Sequence, residues 1–210
     1  MGLAGRLIVL EGGEGAGKST QARRLADWLA GRGTAALATR EPGGAPGAER
    51  IRALLLDPAE PLTPLAQTLL HVAARVEHVA VTIRPALASG IWVVCDRFMD
   101  STRVYQGVAQ GVAPAAIEML AGIVGIEPDL TLVLDLPVAV SRERSAARRA
   151  QLGEAADRYE AMDDATHARI RDGFLARAAA APDRYAVIDA SAGLDAVFAE
   201  LCAAVAQRLG

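Results

Sequence analysis

Lysine is nearly missing from this chain: of its 22 Lys and Arg residues, Lys18 alone is a lysine. Cysteine is also scarce. Cys95 falls in an apolar run and Cys202 in the last helical stretch, which excludes both a disulfide framework and metal-ligand spacing. Aromatics make up only 4% of the residues against 52% hydrophobic, so the core must be built from alanine and aliphatic side chains. The net charge of −3 excludes a whole-chain field that would draw the protein to DNA, RNA or acidic lipid. No uncharged run reaches membrane-spanning length, and the N-terminus lacks a cationic leader followed by an apolar core. The expectation is a soluble protein of the reducing cytoplasm with no nucleic-acid or membrane partner. Its 210 residues suffice for one domain with lids, and neither internal repeats nor a second domain boundary are visible.

The solitary lysine sits inside Gly12-Gly13-Glu14-Gly15-Ala16-Gly17-Lys18-Ser19, a match to the phosphate-cradling pattern G-x-x-x-x-G-K-[ST]. The context is the required one. Leu7-Ile8-Val9-Leu10 reads as a buried strand before the loop, and the residues from Thr20 onward place Leu25, Trp28 and Leu29 at helical spacing after it. The glycines let backbone N–H groups converge on phosphate oxygens, and the helix N-terminus adds partial positive charge. Lys18 would reach the β- and γ-phosphates and the Ser19 hydroxyl would ligate Mg²⁺. A compact ammonium on a thin stem suits that position better than a planar guanidinium.

Further along, Thr34–Thr39 reads as a strand leading into a Pro- and Gly-rich loop, 40–47, followed by a short helix through Ile51 to Leu56. A proline-rich connection (57–64) precedes a long helical pattern from Leu65 to Ser89, in which Pro85 marks a kink or break. Ile91–Cys95 is a buried strand ending in Asp96-Arg97-Phe98. A polar turn carrying Ser101, Thr102, Tyr105 and Gln106 comes next, then a helix from Pro114 to about Val124. Leu130–Leu134 is a strand ended by Asp135, and Val138–Ala150 an arginine-rich helix. After an interruption at Gln151–Ala156 the helical pattern resumes over Asp157–Ala181. Tyr185–Ile188 is a fifth strand and Leu194–Leu209 a closing helix. This alternation predicts a doubly wound α/β fold of the P-loop NTPase kind: a five-stranded parallel sheet with helices on both faces, and an arginine-rich lid at about 142–160.

The functional stretches of such a fold meet at the carboxyl edge of the sheet. Together they hold more fixed cations than one nucleoside triphosphate requires, which predicts a second phosphorylated ligand. Asp96 ends its strand as a Walker-B aspartate does and would hold Mg²⁺ directly or through water. Asp135 ends a strand in the same manner, so both carboxylates stand as metal-side candidates.

The motifs from Gly12 to Ser19, Thr39-Arg40-Glu41-Pro42-Gly43-Gly44, Ala73-Ala74-Arg75, Asp96-Arg97-Phe98 with Ser101-Thr102 and Tyr105-Gln106-Gly107, and Asp157-Arg158-Tyr159-Glu160 stand in an order and spacing that resembles the bacterial thymidylate kinases. The resemblance extends over most of the chain. It implies Mg²⁺-dependent transfer of the ATP γ-phosphoryl group to dTMP, a step toward dTTP, by a cytoplasmic homodimer. Another nucleoside monophosphate kinase on the same scaffold is the alternative enzyme, and a P-loop switch without an acceptor is the alternative from another class. By this resemblance Gly12 to Ser19 together with Thr20 bind ATP. Arg97 grips the acceptor phosphate, and Glu14 meets the sugar 3′-hydroxyl or Mg²⁺. Arg75 reads the base, Tyr105 packs on the deoxyribose, Gln106 and Thr102 lie near the base, and Ser101 is a further substrate-binding residue. Arg40 and Glu41 belong to a mobile loop over the phosphates, with Arg50 as a further phosphate contact and Asp157 and Glu160 near the substrate.

Three positions depart from the family pattern. His71 stands where a base-stacking phenylalanine is usual, one helical turn before Arg75, and Val104 replaces a usual alanine and is expected to tighten the sugar pocket. Gly15 stands where some relatives carry a loop arginine. The lid must then supply that cation, from Arg142, Arg144, Arg148 or Arg149 with Arg158 behind them, and Arg148 or Arg149 is favoured.

Overall fold

A computed structural model describes residues 5–57, 59, 61–153 and 155–210 of the chain. Positions 58 and 60 of the expected proline-rich connection, and position 154 of the expected interruption, lie outside the described residues.

The strands are β1 (Leu7–Glu11), β2 (Ala36–Arg40), β3 (Trp92–Asp96), β4 (Leu130–Asp135) and β5 (Tyr185–Asp189). They form one parallel sheet in the order β2-β3-β1-β4-β5. Side chains alternate along each strand. Leu7, Val9, Val93 and Cys95 point into one helical layer, while Ile8, Leu10, Val94 and Leu132 point into the other. Both faces are covered, which is why these strands read as unbroken apolar runs.

One layer holds α1 (Lys18–Gly31), which buries Ala22, Leu25, Ala26 and Leu29 at positions i, i+3, i+4 and i+7, and α9 (Leu194–Leu209), which buries Val197, Leu201 and Val205. The other holds α3 (Pro64–His78), α4 (Arg84–Ala88) and α6 (Pro114–Val124). α2 (Pro46–Leu56) packs on α3, and α7 (Val138–Leu152) and α8 (Asp164–Ala180) follow β4.

Three expectations are corrected. Before Pro85 the helical path does not break: it widens into a π turn, Val79–Ile83, in which the Arg84 N–H reaches the Val79 carbonyl five residues back. The wider turn accommodates a ring that would crowd the carbonyl one α-turn earlier. The expected polar turn after β3 is helical, with α5 (Met99–Ser101) running into a π-wound segment, Thr102–Ala109. Its signal was present in the sequence: Ser101 and Tyr105, and Thr102 and Gln106, are i, i+4 pairs that share one helical face. Residues 157–160 are turn rather than helix, and α8 starts only at Asp164, where the Asp163 carboxylate caps it by accepting from the Thr166 N–H.

Register sets the site. Leu10 pairs with Asp96 on one side and Leu132 on the other, so the residues after β1 and β3 emerge together at the carboxyl edge of the sheet.

Candidate active site

A cleft of about 570 Å³ opens at that edge. The P-loop forms its floor. Gly12 has φ +136, and a side chain there would strike the Leu134 carbonyl oxygen, 2.4 Å from an added Cβ. Gly15, at φ +69, is required for a related reason: the Ser141 carbonyl of α7 would be 2.6 Å from its Cβ. The Ser141 hydroxyl in turn donates to the Glu14 carbonyl at 2.6 Å. Giving up a loop arginine therefore lets the arginine-bearing helix α7 sit directly on the loop.

Lys18 is buried, with its ammonium donating to the Gly13 carbonyl at 2.6 Å. Burial, and next the Arg97 guanidinium, lower its pKa from the usual lysine range, while Glu14, Asp96 and Glu11 hold it up. The Ser19 hydroxyl donates to Asp96 Oδ2, and Asp96 Oδ1 is buried without a partner. An unpartnered carboxylate oxygen beside a P-loop hydroxyl fits a hard, oxygen-seeking cation, so Ser19 and Asp96 match the donor set for Mg²⁺. Asp135 does not compete: Arg171 engages both its oxygens, at 2.7 and 2.8 Å.

Across the cleft floor, Arg97 adopts a left-handed backbone (φ +70), uncommon for a residue with a side chain. Its Nη2 donates to Glu14 Oε1 at 2.5 Å and to the Tyr105 hydroxyl at 3.3 Å. Nη1 donates to the Gly12 carbonyl and to the Ser101 hydroxyl. The Tyr105 hydroxyl donates to Glu14 at 3.0 Å. Burial pushes the Glu14 carboxyl upward, but Arg97, Lys18 and the Tyr105 hydroxyl together bring it down to about 2. The Glu14 carboxylate inside the glycine loop is thus charged and paired with Arg97.

Arg75 is buried deep in the wall. Its Nε donates to Glu41 Oε2 at 2.5 Å, Nη1 to Thr102 and the Met99 sulfur, and Nη2 to the Phe98 carbonyl. Glu41 also accepts from His78 Nδ1 at 3.0 Å, and the other His78 nitrogen lies 2.8 Å from the Thr39 hydroxyl. Glu41, expected in a mobile loop, lines the cleft yet is only 4% exposed and is held by Arg75 and His78. Arg40 is exposed on the rim and pairs with Glu49.

Arg50 does not line the cleft; Arg52 does, with its guanidinium on the Pro42 carbonyl at 2.8 Å. On a helix those two positions lie about 200° apart, so the choice between them depends on the helix's rotation rather than on residue type.

The inner end of the cleft is lined by His71, Thr102, Tyr105, Gln106 and Tyr159. Tyr159 is the residue that motif reading underused. Its hydroxyl lies 2.7 Å from His71 Nε2, its ring stands edge-on to Tyr105 at 5.5 Å, and Gln106 and Gln67 sit at its hydroxyl. Burial, reinforced by Arg75 and Arg97, lowers the His71 pKa to about 3, so the ring is neutral. Val104 does not tighten the sugar pocket. It is fully buried and faces Gly173 of α8.

Among the lid arginines the structure separates roles. Arg148 and Arg144 line the cleft. Arg144 also donates to the Ala190 and Ser191 carbonyls, tying α7 down. Arg149 and Arg148 both pair with Glu160, at 3.2 and 2.8 Å, and Arg142 pairs with Asp164. Glu160 is buried beneath the two arginines and is not among the residues lining the cleft. Asp157 lines the cleft, where its Oδ1 accepts from the Tyr159 and Glu160 N–H groups.

A glycine loop and helix N-terminus after the first strand of a five-stranded parallel sheet, with further arginines across the same cleft, define a P-loop kinase. The family model described as thymidylate kinase matches residues 10–201. The chain is 51% identical over 209 residues to the thymidylate kinase of Chromohalobacter salexigens, covering 98% of this chain and 97% of that one. It is 52% identical over 212 residues to the thymidylate kinase of Caulobacter vibrioides, covering 98% of both. The crystal structure of thymidylate kinase from Ehrlichia chaffeensis aligns with a TM-score of 0.76 at 30% identity, over 96% of this chain and 98% of that one. This chain belongs to the thymidylate kinase family.

Proposed function

We propose that this protein transfers the γ-phosphoryl group of ATP to dTMP, giving ADP and dTDP, with Mg²⁺ as cofactor. The observation that carries the reading is the convergence in one cleft of Lys18 and the Ser19–Asp96 pair with Arg97, Arg75, Tyr105 and His71. A P-loop switch has no use for that second half.

The chemistry asks little covalent work of the protein. A nucleoside monophosphate has a second pKa of about 6, so at neutral pH the acceptor is mostly a dianion and needs no general base. No histidine has to serve, and His71 is held neutral against the wall. What remains is alignment and neutralisation around a loose in-line transition state. The P-loop amides and Lys18 hold the donor phosphates, and Arg97 presents the acceptor phosphate. Arg148, which lines the cleft from α7 and is not tied to backbone carbonyls as Arg144 is, covers the transferred group. Bound at Ser19 and Asp96, Mg²⁺ would neutralise charge on the donor oxygens. Glu14, paired with Arg97, orients that guanidinium and lies where the acceptor's 3′-hydroxyl would arrive. Arg75 and Gln106 read the base, while Tyr105 and Tyr159 enclose the nucleoside.

The test is ADP release from Mg-ATP with dTMP, dUMP, UMP, CMP, AMP or GMP added singly. Strong stimulation by dTMP supports the reading. Stimulation by a ribonucleotide alone overturns the specificity, and no stimulation by any of them favours a switch.

We further propose a homodimer joined through α3 and α6. These helices pack on one another and leave Leu65, Leu69 and Val76, and Met119 and Ile123, exposed at helical spacing. A solution mass near twice 21.8 kDa, reduced by Leu69→Arg, supports this; a monomer at working concentration refutes it. No described helix is long and apolar enough to cross a membrane, and both cysteines are free, so we place the protein in the cytoplasm.

A further inference from the structure

Glu11 ends β1, is fully buried, and does not line the cleft. A carboxylate in that place must be repaid by hydrogen bonds. It has three: Oε1 accepts from the Phe98 N–H at 2.9 Å and the Ser101 N–H at 3.0 Å, and Oε2 accepts from the Ser101 hydroxyl at 2.7 Å. These donors lie at the start of the helical segment running from Met99 to Ala109, where N–H groups have no partner within the helix. Phe98, at the cap position, offers no capping side chain, so a residue 87 positions earlier supplies the cap.

The same contacts bracket Arg97. The Ser101 hydroxyl, oriented by giving its proton to Glu11, accepts from Arg97 Nη1 at 3.1 Å. The Gly12 carbonyl, next in sequence to Glu11, accepts from that nitrogen at 3.2 Å. Leu10, on the other side of Glu11, accepts the Arg97 backbone N–H at 2.9 Å. Arg97 holds its left-handed backbone between these anchors. Nothing in its own sequence neighbourhood enforces that conformation, so the surrounding structure must.

We propose that Glu11 is the positioning residue for Arg97: through Phe98 and Ser101 it fixes the acceptor-side guanidinium relative to the P-loop, without touching either nucleotide. The proposal rests on the reading of Arg97 as the ligand of the acceptor phosphate. It gives the carboxylate at the strand end a task distinct from that of Glu14 inside the loop. Glu14 meets the guanidinium from the cleft side, while Glu11 holds its support from behind. The cost is visible. Burial, and next the like charge of Asp100, raise the Glu11 pKa to about 7 against the opposing pull of Arg97. A side chain kept only for stability gains nothing from that charge.

The test compares Glu11→Gln, Arg97→Ala and the double variant in the full-length enzyme with Mg-ATP and dTMP. The amide oxygen of Glu11→Gln still accepts from both backbone N–H groups, but its NH₂ cannot accept from the Ser101 hydroxyl. The expected result is a kcat lowered about tenfold or more, with KM for ATP changed less than about threefold and Tm not lowered. In the Arg97→Ala background the same change should have little further effect. An unchanged kcat in Glu11→Gln overturns the proposal, as does an equal loss with and without Arg97. If Arg97→Ala itself keeps wild-type kcat, the reading of Arg97 falls and takes the proposal with it.

Discussion

His71 Nε2 and the Tyr159 hydroxyl lie 2.7 Å apart at the inner end of the cleft, joining α3 to the turn that follows α7. This contact ties the position expected to face the base to a segment 88 residues away. Replacing His71 by Phe adds aromatic area at the proposed base site but removes the shortest contact of the tyrosine hydroxyl, leaving it the longer ones to Gln67 and Gln106. The expected outcome for His71→Phe is tighter dTMP binding by calorimetry together with a stability loss of about 1 kcal/mol. In a chain of this size that is a Tm drop of about 2–4 °C. Weaker dTMP binding would mean that the ring does not face the base.

The two favoured lid arginines are expected to differ. Arg148 lines the cleft, whereas Arg149 meets Glu160 outside it. Arg148→Ala should lower kcat by about 10²-fold or more, the scale of losing one charge-stabilising group. Arg149→Ala should leave kcat within a few-fold and act mainly on lid order. Steady-state kinetics of both variants decide this, and a reversed ranking would move the catalytic assignment to Arg149.

Among the described residues, Glu41 is the one carboxylate paired with the buried Arg75 guanidinium. Removing one partner of such a pair leaves an uncompensated charge and costs about 3–5 kcal/mol. Glu41→Ala should therefore lower Tm sharply and raise KM for dTMP far more than KM for ATP. His78→Leu, which removes the second donor to Glu41, should do the same more mildly. Equal effects on the two nucleotides would place this network outside the acceptor pocket.

Stability should depend on pH through three groups whose signs differ. His71 falls from its usual 6.5 to about 3, so below 6.5 the unfolded chain binds a proton that the folded one refuses, and stability drops as pH falls. Glu11 rises from 4.5 to about 7, so between those values the folded state binds the extra proton and stability grows as pH falls. Glu14 falls from 4.5 to about 2, which removes stability below 4.5. From pH 6.5 to 4.5 the first two oppose at about 1.4 kcal/mol per pH unit each and nearly cancel. Below 4.5, His71 and Glu14 act together. The expected Tm profile is shallow down to about pH 4.5 and steep beneath it, whereas Glu11→Gln should begin its decline near pH 6.5. A wild-type profile already steep at pH 6 would contradict this balance.

Much of the fold could be read from the chain because its signals are local. Five apolar runs became five strands, and the closing helix has the expected bounds, Leu194–Leu209. The errors arose where local composition misleads. Ser, Thr and Gln after β3 looked like a turn because their polarity suggests solvent, yet they face a cleft from a π-wound helix. Arg50 was named and Arg52 overlooked for want of a rotation angle that only packing against α3 supplies.

By itself the sequence determined the phosphate loop with its single ammonium, the alternation that yields a parallel sheet, and the guanidinium supply for a second anionic ligand. All three are set by residue type and short-range spacing. Tertiary structure alone decided what each carboxylate does: Asp96 meets Ser19 and Asp135 meets Arg171, while Glu41 holds Arg75 and Glu11 caps the helical segment beside Arg97. These partners lie 34 to 90 positions apart. A charge shows in the sequence which kind of partner it needs, but only the packed chain brings one particular partner within hydrogen-bonding reach.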